Sequence, residues 1–425
     1  MPIPLRAGAA RLDITPPSGC DLTGFILRTN PSIGVRDPLY ARALVIDDDD
    51  HQVALVSCDV LGFDAEFVAD ARARITFATD IAGPQVLLAG THTHAGPATL
   101  FIQDCGTPAP DYLITLQQNI AEVVRQAQAN LQPATLFAGR GESATGVHNR
   151  RTPGDVIDPA VELLRLDGDD GQPLAVVVNY ACHPTTLFWD NRHISADYPG
   201  LVSGRIEAAT GAVALFLTGA TGDVGPVDRG EESLATVGNA VADAALAALP
   251  GLTRVDDPAI DTEGEMLPLP LLPLPDLDDF LALRNEHRDA ALTAEAEQQT
   301  DDAKMQWALY HWTERMIDRA KDRQLTPTVD AEVQLIRFGD VAVAGVPGEY
   351  FVELGLAIKT QAQVRQLLVC GFANDNIGYI PARRAYPLGG YEITEAYKYY
   401  GYPAALAPEA GEQIVAAVVA MTERD

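Results

Sequence analysis

What this sequence has little of sets its first limits. Basic residues are scarce: 30 Lys and Arg stand against 59 Asp and Glu in 425 residues, a formal net charge of −29. Nucleic acid and anionic membrane surfaces carry the same sign and repel such a chain, so neither is an expected partner. Cysteine is sparse and odd in number, with Cys20, Cys58, Cys105, Cys182 and Cys370 forming no C-x-x-C pair. That pattern argues for scattered reduced thiols rather than a disulfide framework. Apolar runs near the roughly 20 residues of a bilayer span are missing. Residues 1–6 also lack the apolar core of a signal peptide. The expectation is a cytoplasmic protein acting on a small molecule.

What is present points to a large folded core, since 47% of the residues are apolar. The chain turns on Val86-Leu87-Leu88-Ala89-Gly90 followed by Thr91-His92-Thr93-His94-Ala95-Gly96-Pro97. A short apolar run closed by Gly-Pro reads as a buried strand, and a strand turns residues i and i+2 to one side. His92 and His94 are therefore expected to share a cleft at a strand's carboxyl end, where open α/β sheets hold their ligands. The competing reading is a pair of satisfied surface histidines.

Four more apolar runs hand over to polar loops punctuated by Gly or Pro. Residues 174–181 lead into Cys182-His183-Pro184, and 213–217 into Thr218-Gly219-Ala220-Thr221-Gly222-Asp223-Val224-Gly225-Pro226. Residues 341–346 lead into Pro347-Gly348-Glu349, and 366–370 toward Asn374-Asp375-Asn376-Ile377-Gly378-Tyr379. These loops are expected on one rim. Helices are expected over 67–78, 111–131 (stopped by Pro133), 350–359 and 408–421. Residues 267–325 differ: a proline-rich stretch precedes charged helix formers, read as a helical insertion covering the sheet. His287 and His311 inside it are ordinary packing or surface residues.

The rim offers His92, His94, His183 and Glu349 to a metal. A hydrolytic zinc site needs three or four N/O ligands at roughly 2.0–2.2 Å and one open position. Asp223 and Asp197 are placed either to orient a ligand imidazole through its second nitrogen or to cap a helix. Arg150, in the stretch 147–153, is either an oxyanion clamp or a solvated charge. Cys182, beside His183, reads as a packed thiol rather than a nucleophile.

Taken in order, Leu12-Asp13-Ile14-Thr15-Pro16-Pro17, Tyr40-Ala41-Arg42-Ala43, Thr91 to Pro97, Asn149-Arg150, His183, Gly222-Asp223, Pro347-Gly348-Glu349 and Gly378-Tyr379 resemble the catalytic domain of the neutral ceramidases, zinc-dependent amidases of N-acyl sphingosine. The resemblance implies one zinc ion held by His92, His183, Glu349 and Tyr379. It gives His94, Arg150 and Tyr391 to the handling of substrate, in a site to which Asp223 also belongs. It implies an α/β fold, a mixed β-sheet core covered by helices, as one zinc hydrolase domain over 1–425. Two departures stand out. Gly225 occupies the place of a family serine two residues beyond Gly-Asp, and the expectation is that the family's immunoglobulin-like domain does not follow the helix near residue 421. The expected function is hydrolysis of an N-acyl carboxamide by water activated on zinc, without stable membrane association. The alternatives are a metal-dependent hydrolase of an ester, lactone or similar linkage, and a non-catalytic binding homologue.

Overall fold

A computed structural model describes residues 5–152 and 154–423. The reading of residues 1–4 as leaderless, the Pro153 end of the Arg150 stretch and the chain end at 424–425 lie outside the described residues. Two sheets form the centre. The larger runs Val213–Thr218, Pro173–Tyr180, Ala160–Gly168, Gln132–Glu142, Arg6–Asp13, Tyr40–Asp47, Gln52–Cys58, Val86–Gly90, with Thr253–Arg254 beside Gln132–Glu142. It is parallel at its two ends and antiparallel between them. The smaller sheet orders Ile260–Pro270, Thr328–Phe338, Val341–Gly345 and Gln366–Cys370.

The period-2 alternation of each strand divides the core into layers. Leu44, Ile46, Leu55, Leu87 and Leu217 of the larger sheet pack with Ile336, Phe338, Val343 and Leu368 of the smaller one, so the sheets meet face to face. The alternate residues Val45, Val56 and Leu88 instead meet Phe67, Ile75, Ile120 and Val124 from the helices Ala65–Thr79 and Pro110–Ala129. Val176, Val178 and Phe216 likewise meet Val202, Ile206, Val237 and Val241 from Asp197–Thr210 and Glu231–Ala248. On the far side Ala342, Ala344 and Val369 meet Leu354, Ile358, Ile414 and Val418 from Val352–Gln361 and Ala410–Thr422. The result is an α/β fold in four layers, helices outside and two sheets inside.

The expected single rim is built by both sheets. Backbone bonds from Asn374 N–H to Leu88 O and from Gly371 N–H to Thr218 O, at 2.8 Å each, stitch the sheets together where the apolar strands end. Three sequence expectations need correction. Pro133 does not merely stop a helix; the helix ends at Ala129 and Pro133 stands near the start of the strand Gln132–Glu142. Leu267 to Pro270 belongs to a strand, not to the insertion; this is the edge strand of the smaller sheet, where a missing proline N–H costs least. The helices that follow are Leu277–Ala296 and Thr300–Lys321, packed through Phe280 on Trp312 and Met316. Finally, Glu231–Gly251 is a helix of 21 residues with mean hydropathy 1.2, long and apolar enough to cross a membrane. In this fold it is an outer-layer helix that buries one face, through Leu234, Val237, Val241 and Ala245.

One rim carboxyl carries a pH signature. Asp375 lies by the start of the Ala65–Thr79 helix, whose own N-cap is Asp64. Burial, reinforced by the Asp64 charge, lifts its pKa to about 7, although the Asn376 N–H it accepts pulls the other way. A carboxyl that binds its proton more tightly folded than unfolded stabilises the fold below about pH 4, and that contribution is lost as pH rises to 7. Asp375→Asn should therefore leave the urea midpoint nearly unchanged at pH 4.5 and raise it at pH 8. Equal shifts at both values would refute the account.

Candidate metal centre

The two histidines after Val86–Gly90 do not meet by strand alternation, because the strand ends at Gly90. His92 instead adopts a left-handed backbone, φ +66°, a conformation that costs a non-glycine residue of order 1–3 kcal/mol. Its surroundings hold it there. Its N–H donates to Val60 O at 2.9 Å and its ring stacks on Phe372 with centroids 3.7 Å apart. Nδ1 lies 2.7 Å from Leu61 O, which requires the proton on Nδ1 and leaves a bare lone pair on Nε2. His183 is placed alike: its N–H donates to Val224 O at 3.1 Å and its Nδ1 faces Thr221 O at 3.4 Å. Asp223 and Asp197 do not orient these rings. The Asp223 carboxylate accepts from Asn149 Nδ2 and Val352 N–H, and Asp197 from Thr186 Oγ1 and Leu187 N–H. Backbone carbonyls do the orienting instead.

The Nε2 atoms of His92, His94 and His183 form an equilateral triangle 3.1 Å on a side. Burial above all, and then neighbouring charges, push His94 and His183 well below the usual histidine range, so neither relieves the crowding by taking a proton. Glu349 completes the cluster. Its Oε2 is buried without a hydrogen-bond partner, 3.7 Å from His92 Nε2 and 3.6 Å from His183 Nε2. A triangle with edges 3.1, 3.6 and 3.7 Å has a circumradius of about 2.0 Å, the length of a zinc bond to nitrogen or oxygen. The residues present thus fit a divalent ion on an N/O donor set. His94 differs from the other two: its Nδ1 faces the Gly24 backbone without a well-aligned hydrogen bond, and among the described residues it makes no ion-pair approach to Glu349. Ligand imidazoles almost always anchor that second nitrogen.

Glu349 is delivered by the smaller sheet. It pairs in parallel with Tyr379, which sets the two side by side. Gly348, φ +150°, makes this approach possible, since a Cβ there would stand 2.5 Å from Gly378 O. The other carboxylate oxygen, Oε1, accepts from the Tyr400 hydroxyl, a residue that sequence reasoning passed over. The Tyr379 hydroxyl accepts from Arg150 Nη2 at 2.8 Å, and the same nitrogen donates to Gly222 O at 2.7 Å. Burial opposes the Arg150 cation, but Tyr379, Glu392 and Glu349 outweigh it and raise its pKa. Burial drives Tyr379 well above the ordinary phenol range. Tyr391 stands half exposed, edge-on to Tyr379 at 5.9 Å. Gly225 is at the site as well: a Cβ there would lie 3.7 Å from Arg150 Cδ and 3.9 Å from His183 Cβ, ordinary contacts that leave room for a side chain. Cys182 is buried and its thiol pushed up, as expected of packing sulfur.

His92, His94, Arg150, Glu349, Tyr379, Tyr391 and Tyr400 line one cavity of about 280 Å3, closed elsewhere by Phe25, Ile102 and Met305 among others; Asp223 and Asp197 lie outside that lining. A four-layer fold whose two sheets jointly present histidines and a glutamate to a pocket defines an α/β protein with a candidate metal centre. The chain belongs to the neutral/alkaline non-lysosomal ceramidases, whose N-terminal region it matches over residues 5–239. Neutral ceramidase B of Dictyostelium discoideum is 29% identical over 261 residues, covering 53% of this chain and 36% of that protein. Neutral ceramidase of Pseudomonas aeruginosa is 26% identical over 250 residues, covering 53% and 37%. These alignments span little more than a third of either relative. A neutral ceramidase of Mycobacterium tuberculosis aligns at 22% identity over 91% of this chain and 73% of its own. In fold, the crystal structure of neutral ceramidase from Pseudomonas aeruginosa superimposes with a TM-score of 0.77 at 20% identity, over 99% of this chain and 75% of that one.

Chelator-stripped protein should take up one Zn2+ or Co2+ per chain. His92→Ala and His183→Ala should each weaken that binding by 100-fold or more and His94→Ala by less than 10-fold, read by competitive titration. Equal losses for all three would make His94 a full ligand and overturn the distinction drawn from its second nitrogen.

Proposed function

We propose that the chain is a metal-dependent amidohydrolase that cleaves an N-acyl carboxamide of the ceramide type to a carboxylic acid and an amine. The observation that carries this reading is the unpartnered Glu349 Oε2 facing two imidazole lone pairs inside a pocket. Family membership and the names of the relatives support it. A zinc ion held by His92, His183 and Glu349, with Tyr379 beside them, would supply Lewis acidity and bring the pKa of water toward 7.

The protein's own groups divide the remaining work. Arg150 holds a positive charge at the pocket wall, where the oxygen of the scissile carbonyl gains negative charge as the amide is attacked. Because the Tyr379 hydroxyl accepts from Arg150, its own proton is free for another acceptor. Tyr379, set beside Glu349 by strand pairing, serves with that proton as a donor toward the substrate's oxygen or departing nitrogen. His94, neutral and with Nε2 turned toward His92 and His183, is the proton acceptor of the pocket in this reading. Gly225 brings no hydroxyl to its position between Arg150 and His183. In this reading water adds directly to the carboxamide carbon, the C–N bond breaks with a proton passing to nitrogen, and no acyl-enzyme forms. Phe25, Ile102 and Met305 give the acyl chain an apolar wall, Met305 coming from the Thr300–Lys321 helix.

Amine release from a panel of N-acyl amides, with a parallel set of esters and lactones, tests this. Chelation should lower turnover at least 100-fold and zinc should restore it. Arg150→Gln should lower kcat/KM by about 10²–10³ with zinc content unchanged, the usual loss for a missing oxyanion donor. Hydroxylamine should trap no acylated protein. Turnover that persists without metal refutes the proposal; cleavage of esters alone moves it to the second linkage class.

A further inference from the structure

The chain carries nearly two acidic residues for each basic one, yet its pocket is lined by Arg150 and Arg229. Arg229 follows the strand Val224–Pro226 and stands exposed at the pocket mouth. Its Nη1 donates to Pro226 O at 2.5 Å and to Asp228 O at 3.1 Å, and its guanidinium rides over the Phe188 ring at 5.4 Å. These contacts fix the side chain without neutralising it. Among the described residues no carboxylate oxygen comes within 4.0 Å, although Glu349 and Glu395 line other parts of the wall.

The unused donors are what make the arrangement informative. With Nη1 spent on carbonyls, Nε–H and Nη2–H remain, and these two point in parallel along one edge of the guanidinium plane. That edge is the fork that receives both oxygens of a carboxylate. The other pocket arginine is committed differently: Arg150 binds Tyr379 and Gly222 O and lies 3.5 Å from Glu392. Gly225 lies two residues before Val227 on the same turn and leaves the space beside Arg150 open. Burial first, and then the Arg150 charge, lower the Arg229 pKa, and the Asp197 and Asp228 charges only partly offset them.

We propose that Arg229, with Arg150 deeper in the pocket, forms an anion subsite that selects amides bearing a carboxylate close to the scissile bond. This rests on the amidase reading above and names the substrate class within it. The volume agrees: about 280 Å3 lies at the lower edge of cavities that enclose drug-sized ligands, suited to a short acyl chain with a compact charged head.

Two carboxylated probes distinguish the side on which the charge sits: N-octanoylglycine on the amine side and N-succinyl-octylamine on the acyl side. Their neutral partners are N-octanoylethanolamine and N-butanoyl-octylamine. For zinc-loaded protein, kcat/KM should favour at least one acid over its partner by 10-fold or more, with the ratio shrinking as salt rises. Arg229→Gln should bring that ratio near 1, and Arg229→Lys, which keeps the charge but loses the fork, should leave it between the two. Equal rates for acid and neutral partner would overturn the subsite and leave the amidase reading standing. Calorimetric titration of metal-free protein gives the second readout. If no amide is cleaved, but an acid binds at least 10-fold more tightly than its partner and Arg229→Gln abolishes the difference, the subsite stands and the amidase reading falls. Acids neither bound nor cleaved in preference refute the subsite.

Discussion

Three imidazole nitrogens held 3.1 Å apart, with a bare carboxylate oxygen 3.6–3.7 Å from two of them, are the constraint around which this fold is arranged. Leu61 O fixes the His92 proton on Nδ1, so its Nε2 can only accept. Acceptors turned toward one another repel, and the repulsion is stronger in a buried place than in water. Protonation offers no escape while burial holds His94 and His183 well below the ordinary histidine range. A cation between His92, His183 and Glu349 satisfies those three at once. The costs elsewhere follow from that arrangement: the left-handed His92 and Phe372 backbones, and the glycine at 348 that lets Glu349 lie against Gly378. Strain gathered at one spot and held by packing around it is the usual mark of a functional site.

The broad outline was legible in the sequence because it follows from local chemistry. Apolar runs stopped by glycine and proline became strands ending at the rim, and His92, His94, His183 and Glu349 came together from three of the loops named in advance. The expected reason was partly wrong. His92 and His94 converge because the backbone turns left-handed beyond the strand, a feature that residue identity at a β-like position does not signal. The orienting groups were also hidden. Leu61 O and Thr221 O are main-chain atoms, and every residue has one, so nothing in a side-chain pattern points to them. The carboxylates chosen for that role, Asp223 and Asp197, instead tie loops to the chain segments that carry Glu349 and His183. Tyr400 had a faint signal in the Tyr399-Tyr400-Gly401-Tyr402 cluster, but its bond to Glu349 joins positions 51 residues apart. The division into two sheets was invisible for the same reason: alternation shows that a strand has two faces, not which partner covers each.

The two halves of the chain relate differently to the family. The matched region, residues 5–239, supplies His92, His94, Arg150, His183 and the Arg229 turn, while Glu349, Tyr379, Tyr391, Tyr400 and Met305 all lie beyond it. Recognition of the first half alone therefore says nothing about the remaining donors. What connects them is geometry. The circumradius of about 2.0 Å uses one edge within the matched region and two edges that cross out of it, and random placement of Glu349 would not reproduce a metal bond length. Fold likeness over 99% of the chain at 20% identity fits the same picture, an architecture retained while side chains changed. The second half also carries most of the aromatic wall and the helix that brings Met305 into the pocket. The candidate metal centre belongs to groups that both halves must hold in register, and the pocket around it is walled by both as well, Phe25, Ile102 and Phe188 from the matched half and Met305 with the tyrosines from the other. Metal centre and pocket shape are thus separable here: the first is constrained by lone pairs gathered at one point, and the second by the residues that surround them.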